Sequence, residues 1–265
     1  MQMKLNTDNF LHSNPFLYEL FHHEDNDSMA KFILTLLNHY KAGSKILDVG
    51  CGLGREVSFL NRNGYDVFGL DNSEEMLSWA QKRYPASTFV KGDQAAFSLA
   101  QSFDAIYCVG STFLYNFSNE TILQSLRCFR EHLQTGGLLY LDMRNAAFFL
   151  TKEGQRWLSE ELVDRRKMNE QLVTLQTRFE IDLPNQMLMR DYCWTVSGQE
   201  PVVEHLQHRL IFPQELVLFL EKSGFRIKEL FDEPAPHVDH YEPEQRIIFN
   251  NNLQGRRMQV IAEAV

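Results

Sequence analysis

The chain has 265 residues, 44% hydrophobic, 23% charged and 12% aromatic, so it carries enough apolar surface to offset the entropy of ordering and is not disordered overall. A formal net charge of −9 with no block of Lys and Arg argues against a duplex nucleic-acid partner or an anionic membrane surface. The four cysteines form no CxxC pair, no apolar run reaches the roughly 20 residues of a membrane span, and the amino terminus lacks the pattern of a secretory signal, so a soluble protein of a reducing, cytoplasmic compartment is expected.

Taken in chain order, Phe32, Ile33, Leu36 and Leu37 recur at helical spacing within Met29 to Tyr40, and Gly43 stops that helix. Lys45 to Val49 reads as a short buried strand ending in glycines, with a helix body at Glu56 to Leu60. The rhythm then alternates: a strand at Tyr65 to Leu70, a helix opening at Asn72 or Ser73, strands at Thr88 to Lys91 and Ala105 to Val109, a helix from about Asn119 to Leu133, and a strand at Leu138 to Asp142. Strands separated by helices imply crossovers and a mainly parallel sheet. After Asn145 the segments lengthen and gain β-branched and aromatic residues, at Val173 to Ile181, Met187 to Val196 and Val202 to Phe212, which reads as an antiparallel insertion. Pro213 fits the first turn of a helix ending at Ser223-Gly224, followed by strands at Arg226 to Phe231 and Met258 to Glu263. The polar stretch between those last strands is expected to be a surface loop.

The predicted fold class is therefore α/β: a Rossmann-like, doubly wound, mainly parallel seven-stranded sheet with an inserted antiparallel β lobe. The expected divisions are an amino-terminal helical lid over 1–44, a core over 45–145 and 213–265, and a helix plus β lobe over 146–212.

The most informative segment is Asp48-Val49-Gly50-Cys51-Gly52-Leu53-Gly54-Arg55. It follows a strand and opens a helix, which places it at the carboxyl edge of the sheet, where doubly wound folds bind ligands. A dinucleotide fingerprint needs its third glycine at position 55, which is Arg55; here the third glycine is Gly54. Three more strand ends follow in order. Asp71 closes the second strand, where a carboxylate can accept ribose hydroxyls. Gly92-Asp93 closes the third, where it can accept the amine of adenine. Cys108-Val109-Gly110-Ser111 closes the fourth, beside the place where reacting groups meet.

Together these residues resemble the class I S-adenosylmethionine-dependent methyltransferases of small-molecule type. ILDVGCGLG, LDNSEEML, KGD and FDAIYCVGSTF are similar to the family's successive blocks, LQTGGLLYLD to the passage after them, and LFLEKSGF with RMQVIAE to its closing elements. The resemblance implies S-adenosyl-L-methionine as cofactor, leaving S-adenosyl-L-homocysteine after in-line transfer to N or O, with C less favoured. It implies that Gly50, Gly52 and Gly54 flank the methionyl part and that Asp48 supports the loop and the amino group. Asp71 would hold the ribose, with Asn72 and Met76 near adenine and Asp93 and Gln94 at its edge. Cys108 and Val109 would present backbone to the cofactor, Tyr18 would sit in a lid, and Cys51 would pack there without reacting.

On the acceptor side, GSTF and Asp142-Met143-Arg144-Asn145 resemble segments of glycine and sarcosine N-methyltransferases, pointing to an amine or polar acceptor. Asn145 and Tyr115 are the expected acceptor-facing residues, with His208 as a candidate general base. His205 and His208 would face opposite sides of a strand, so no metal is expected. The aromatic residues of the lobe would roof an acceptor pocket or build a homodimer interface. Two rivals stand beside this reading: a non-catalytic cofactor-binding partner subunit, and, less favoured, a nicotinamide oxidoreductase.

Overall fold

In the first strand of the sheet, β1 (Lys45–Val49), neighbouring side chains serve opposite cores, as the two-residue period of a strand requires. Ile46 packs with Phe32, Ile33, Leu36 and Leu37 of α2 (Ser28–His39) and with Val57 and Leu60 of α3 (Arg55–Arg62). Leu47 packs on the other face with Leu126 and Phe129 of α5 (Asn119–His132) and Leu216 and Leu220 of α7 (Pro213–Lys222). A strand buried on both faces reads as a continuous apolar run, which is why ILDV is so plain in the sequence.

The computed structural model describes residues 9–22, 27–168, 170–243 and 246–265, so the first residues of the expected lid lie outside the described ones. Around β1 are β2 (Asp66–Asp71), β3 (Thr88–Lys91), β4 (Phe103–Cys108), β5 (Leu133–Arg144), β10 (Phe225–Phe231) and β11 (Arg257–Ala264). The order across the sheet is β10-β11-β5-β4-β1-β2-β3. β1 to β5 pair in parallel, while β11 runs antiparallel between β5 and β10. The predicted Rossmann-like sheet is thus present, and its order reverses between β1 and β4. That switch point opens the crevice used by ligands in such folds. The fourth helix, α4 (Glu74–Arg83), is capped by Ser73, whose hydroxyl accepts from the Met76 amide at 3.2 Å.

The predicted antiparallel insertion is a second sheet ordered β6-β7-β8-β9, from β6 (Leu162–Met168), β7 (Gln171–Asp182), β8 (Met187–Val196) and β9 (Val202–Arg209). Its inner face buries Val173, Tyr192, Trp194 and Val196 against Phe10, Leu11 and Leu17 around α1 (Pro15–His22). The amino-terminal segment also reaches the core: Phe16 meets Trp79 of α4, and the Ser73 hydroxyl donates to the His12 carbonyl.

The structure revises one sequence expectation about a connection. The segment after β10 is not a surface loop throughout: Asp232, Ala235 and Tyr241 are buried, and Tyr241 packs on Phe32. The Asp232 carboxylate accepts from the Gln254 and Gly255 amides at 2.9 and 3.0 Å, which folds the connection back over the sheet edge.

Candidate cofactor and acceptor site

Three glycines shape the turn after β1. Gly50, Gly52 and Gly54 all have positive φ, at 79°, 50° and 74°, a region other residues enter only with strain. A Cβ on Gly50 would lie 2.3 Å from the Thr112 side chain, whereas one on Gly52 would meet nothing within 4 Å. Gly50 therefore serves close packing of the β1 and β4 ends, and Gly52 presents bare backbone to open space. The Gly50 amide donates to the Leu70 carbonyl at 2.7 Å, and the Gly52 amide donates to Asp71 Oδ2 at 2.8 Å. Asp71 Oδ1 accepts from the Ser73 amide at 2.9 Å, so one carboxylate ties the glycine turn to the start of α4.

Acidic groups gather beneath this turn. Asp48 is 1% exposed, and its Oδ1 has no hydrogen-bond partner. Burial, with Glu56 adding to it, holds its carboxyl well above the usual carboxylate range. Burial raises Glu56 and Asp71 as well. Cys51 is buried against Gly69, and burial pushes its thiol up, which makes it packing and not a nucleophile.

Beside the turn lies a cavity of about 410 Å³, at the β1/β4 switch point. Its glycine-turn side is Gly50, Cys51, Gly52, Leu53 and Glu56; Val109, Gly110 and Thr112 come from the end of β4. Tyr18 and Phe21 of α1 close one side, Arg144 and Arg257 come from β5 and β11, and Arg256 from the residue before β11. Pro236, His237 and Val238 belong to the folded-back connection. A buried pair braces this side: Arg257 Nε donates to Asp142 Oδ1 at 3.0 Å, and Arg257 also donates to the Ser111 hydroxyl at 2.9 Å. Burial alone would raise the Asp142 carboxyl, but the charges of Arg257 and His237 with the hydrogen bonds from Arg257 and the Gly110 amide together hold the group below its ordinary value.

Of the residues singled out in the sequence, Tyr18, Gly50, Cys51, Gly52 and Val109 line the cavity. Gly54 caps α3 just behind it, and Asp48 lies under the turn. Asp71, Asn72, Asp93 and Gln94 fall at the ends of β2 and β3 and Met76 in the first turn of α4, none of them lining the cavity. Asn72 and Asp93 are exposed, and Met76 is buried. Gln94 donates to the Thr112 carbonyl at 3.1 Å, while its Oε1 is buried without a partner. The Cys108 side chain points into the core.

The three acceptor-side residues are placed differently. Asn145 is fully buried; its amide nitrogen donates to the Leu253 and Gly255 carbonyls at 2.8 and 3.0 Å, and its oxygen accepts from the Ala147 amide. Those bonds clamp the folded-back connection to the end of β5, away from the cavity wall. Tyr115 accepts from Arg190 at 3.1 Å and meets the His208 ring edge-on at 4.9 Å. His208 is buried with neither ring nitrogen hydrogen-bonded; burial and the nearby arginines hold it well below the usual imidazole range, so it is neutral. His12 lies between Tyr18 and Tyr115, with ring centroids 5.7 and 6.0 Å away, so aromatic rings run from the cavity into the lobe.

Sequence reasoning missed Arg256, Arg257 and Glu56 as residues of the cavity, and weighed His237 only as a disfavoured metal ligand. Only the adjacent arginines of RRMQV, at the entry to β11, hinted at a pair of cations at a strand end. Among the described residues no three His, Cys, Asp or Glu side chains gather as a metal-binding group, and no helix is long and apolar enough to cross a membrane.

Comparison with known proteins adds to this geometry. Residues 46–137 match the family model described as a methyltransferase domain. The chain is 32% identical to the dTDP-3-amino-3,4,6-trideoxy-alpha-D-glucopyranose N,N-dimethyltransferase of Streptomyces venezuelae, over 46% of this chain and 50% of that protein. It is 31% identical to the glycine/sarcosine N-methyltransferase of Aphanothece halophytica, over 46% of this chain and 48% of that one. The chain thus spans about half the length of these curated relatives. The crystal structure of Streptomyces venezuelae DesVI shares the fold, with a TM-score of 0.75 at 19% identity, covering 99% of this chain and 100% of that one. The resemblance read from the strand ends, to the class I S-adenosylmethionine-dependent methyltransferases, is borne out.

Proposed function

We propose that this protein transfers a methyl group from S-adenosyl-L-methionine to a small-molecule acceptor, at nitrogen in preference to oxygen. The observation that carries the reading is the glycine turn clasped by Asp71 and opening on a cavity at the sheet's switch point. The residues fit such a cofactor. Gly52 leaves room for a ligand against bare backbone, and the unpartnered Asp48 Oδ1 with Glu56 offers acidic groups toward an ammonium. Asp71 has lone pairs left for ribose hydroxyls, and the unpartnered Gln94 Oε1 suits the amine edge of adenine, with Met76, Asn72 and Asp93 around it.

When bound, the cofactor supplies a methyl group already activated on a sulfonium. The chain has to bind, align and exclude water, so no nucleophile–base triad is needed. Tyr18 and Phe21 close the cavity from α1, and the 236–238 segment closes it from the other side. The neutral His208 is available as a proton acceptor only through Tyr115, which stands between it and the cavity side. Nitrogen is favoured because both relatives named above are N-methyltransferases by name. The four cysteines are unpaired, in keeping with a reducing cytoplasmic compartment. A homodimer through the outer face of the lobe, where Val163, Leu172 and Val203 are exposed, completes the reading.

The test is twofold. Calorimetry should register adenosylhomocysteine binding, and methyl-labelled cofactor should pass label to a member of an amine metabolite panel. Silent calorimetry at saturating ligand would sink the reading, and binding without any label transfer would favour a non-catalytic binding subunit.

A further inference from the structure

Two guanidinium groups face the cavity with no carboxylate in ion-pair contact among the described residues. Arg144 ends β5 and Arg256 precedes β11, and both line the cavity. Among the described residues neither has an acidic side chain within ion-pair distance. The charges acting on Arg144 are those of Arg190, Arg257 and Arg256 together with the Tyr192 phenol, and Arg256 feels the Arg257 charge, offset in part by Asp239 and Glu153, with which it forms no ion pair. Arg257, paired across the ladder with Arg144, is already neutralised by Asp142. Burial and these like charges pull Arg144 down to about 9. Cations facing one another across a ladder, taken partly out of water, destabilise the fold unless an anion joins them.

What holds the two side chains is aromatic. Arg144 lies over the Phe179 ring at 5.4 Å, Phe179 stacks on Trp157 at 6.0 Å and 14°, and Arg256 lies over Trp157 at 4.5 Å. A cation–π contact engages the flat face of a guanidinium and leaves its N–H edge free. The result is a shelf, cation, ring, ring, cation, whose donors meet no acceptor among the described residues. The acidic groups of the cavity, Glu56 and Asp27 above all, stand on the β1 side, where Asp27 already meets Arg55 at 3.8 Å.

We infer that the acceptor is an anion, held through carboxylate or phosphate oxygens by Arg144 and Arg256 on the β5–β11 side of the cavity. The inference rests on the methyltransferase reading and narrows its substrate class. The cavity is polarised: its acidic side suits the cationic cofactor, and its basic side suits a negatively charged acceptor. Guanidinium forks bind such groups bidentately. The overall charge of −9 does not oppose this, because at a Debye length of about 8 Å the local arginines dominate.

The experiment titrates citrate, inorganic phosphate and pyrophosphate, at constant ionic strength, into the full chain saturated with adenosylhomocysteine and read by calorimetry. At least one should bind, and the preference between citrate and the phosphates identifies the anion's chemistry. Arg144→Gln and Arg256→Gln should each weaken that anion about tenfold or more, the scale of a lost charge-assisted contact, while adenosylhomocysteine affinity stays within about threefold. Arg256 is exposed, so its variant keeps the test open if Arg144→Gln fails to fold. No anion binding to the wild type, unchanged anion affinity in the variants, or an equal loss of adenosylhomocysteine affinity would overturn the inference. The last outcome would assign the arginines to the cofactor's own carboxylate. If adenosylhomocysteine itself does not bind, the methyltransferase reading falls, and the same anions titrated into the free protein still test the shelf.

Discussion

Asp71 spends each carboxylate oxygen on one backbone amide, so its loss should loosen the glycine turn and remove a ribose contact together. Asp71→Ala is expected to weaken adenosylhomocysteine by about tenfold to a hundredfold in a chain that still folds, measured by calorimetry. Asp142 and Arg257 behave differently, because both are buried. Asp142→Asn leaves a guanidinium uncompensated, which costs about 3–5 kcal/mol, seen as a large drop in Tm. His208 gives a signed pH effect. Its folded form resists protonation, so below the unfolded value of about 6.5 the unfolded chain binds more protons and stability falls with pH. His208→Leu should flatten the decline in Tm between about pH 7 and pH 5. At this scale the glycine turn and the strand-end acids were legible, because both are local signals. Asn145 was not, since its partners Leu253 and Gly255 lie more than a hundred positions away in the chain.

The elements divide by how much of their burial is local. β1, β2, β4 and β5 announce themselves as apolar runs, and Ser73 and Ser118 mark the starts of α4 and α5 by their capping hydroxyls. β6 was missed because LVDRRKM is an edge strand with little burial, so its sequence carries no apolar period. The short helices α1 and α6 (Lys152–Ser159) were expected only as a helical lid and a helix of the insertion, without bounds, because each is stabilised by what it packs on. Trp194 is 1% exposed and meets Phe10 and Phe21 from the amino-terminal segment at 5.6 and 5.1 Å. Trp194→Ala should therefore cost about 3–5 kcal/mol and free that segment, read as faster proteolysis near residue 20 in the absence of ligand.

Across the whole molecule, the mainly parallel sheet and the inserted lobe followed from the alternation of elements, while the basic side of the cavity did not. Arg144 and Arg256 are far apart in sequence and become one site only because β11 inserts beside β5. Light scattering should report a dimer; a monomer at all concentrations would leave the exposed Val163, Leu172 and Val203 as ordinary surface. The position of β11 also sets the order in which this protein can become competent during synthesis. The glycine turn, Asp71 and the β4 end leave the ribosome early and can pair among themselves. β5 keeps an open edge, and the cavity lacks its cationic side, until residues 256 and 257 emerge and the last strand slides between β5 and β10. A chain cut short before Arg256 would keep the ingredients for the nucleoside but display a bare strand edge, an invitation to aggregate and not to catalyse.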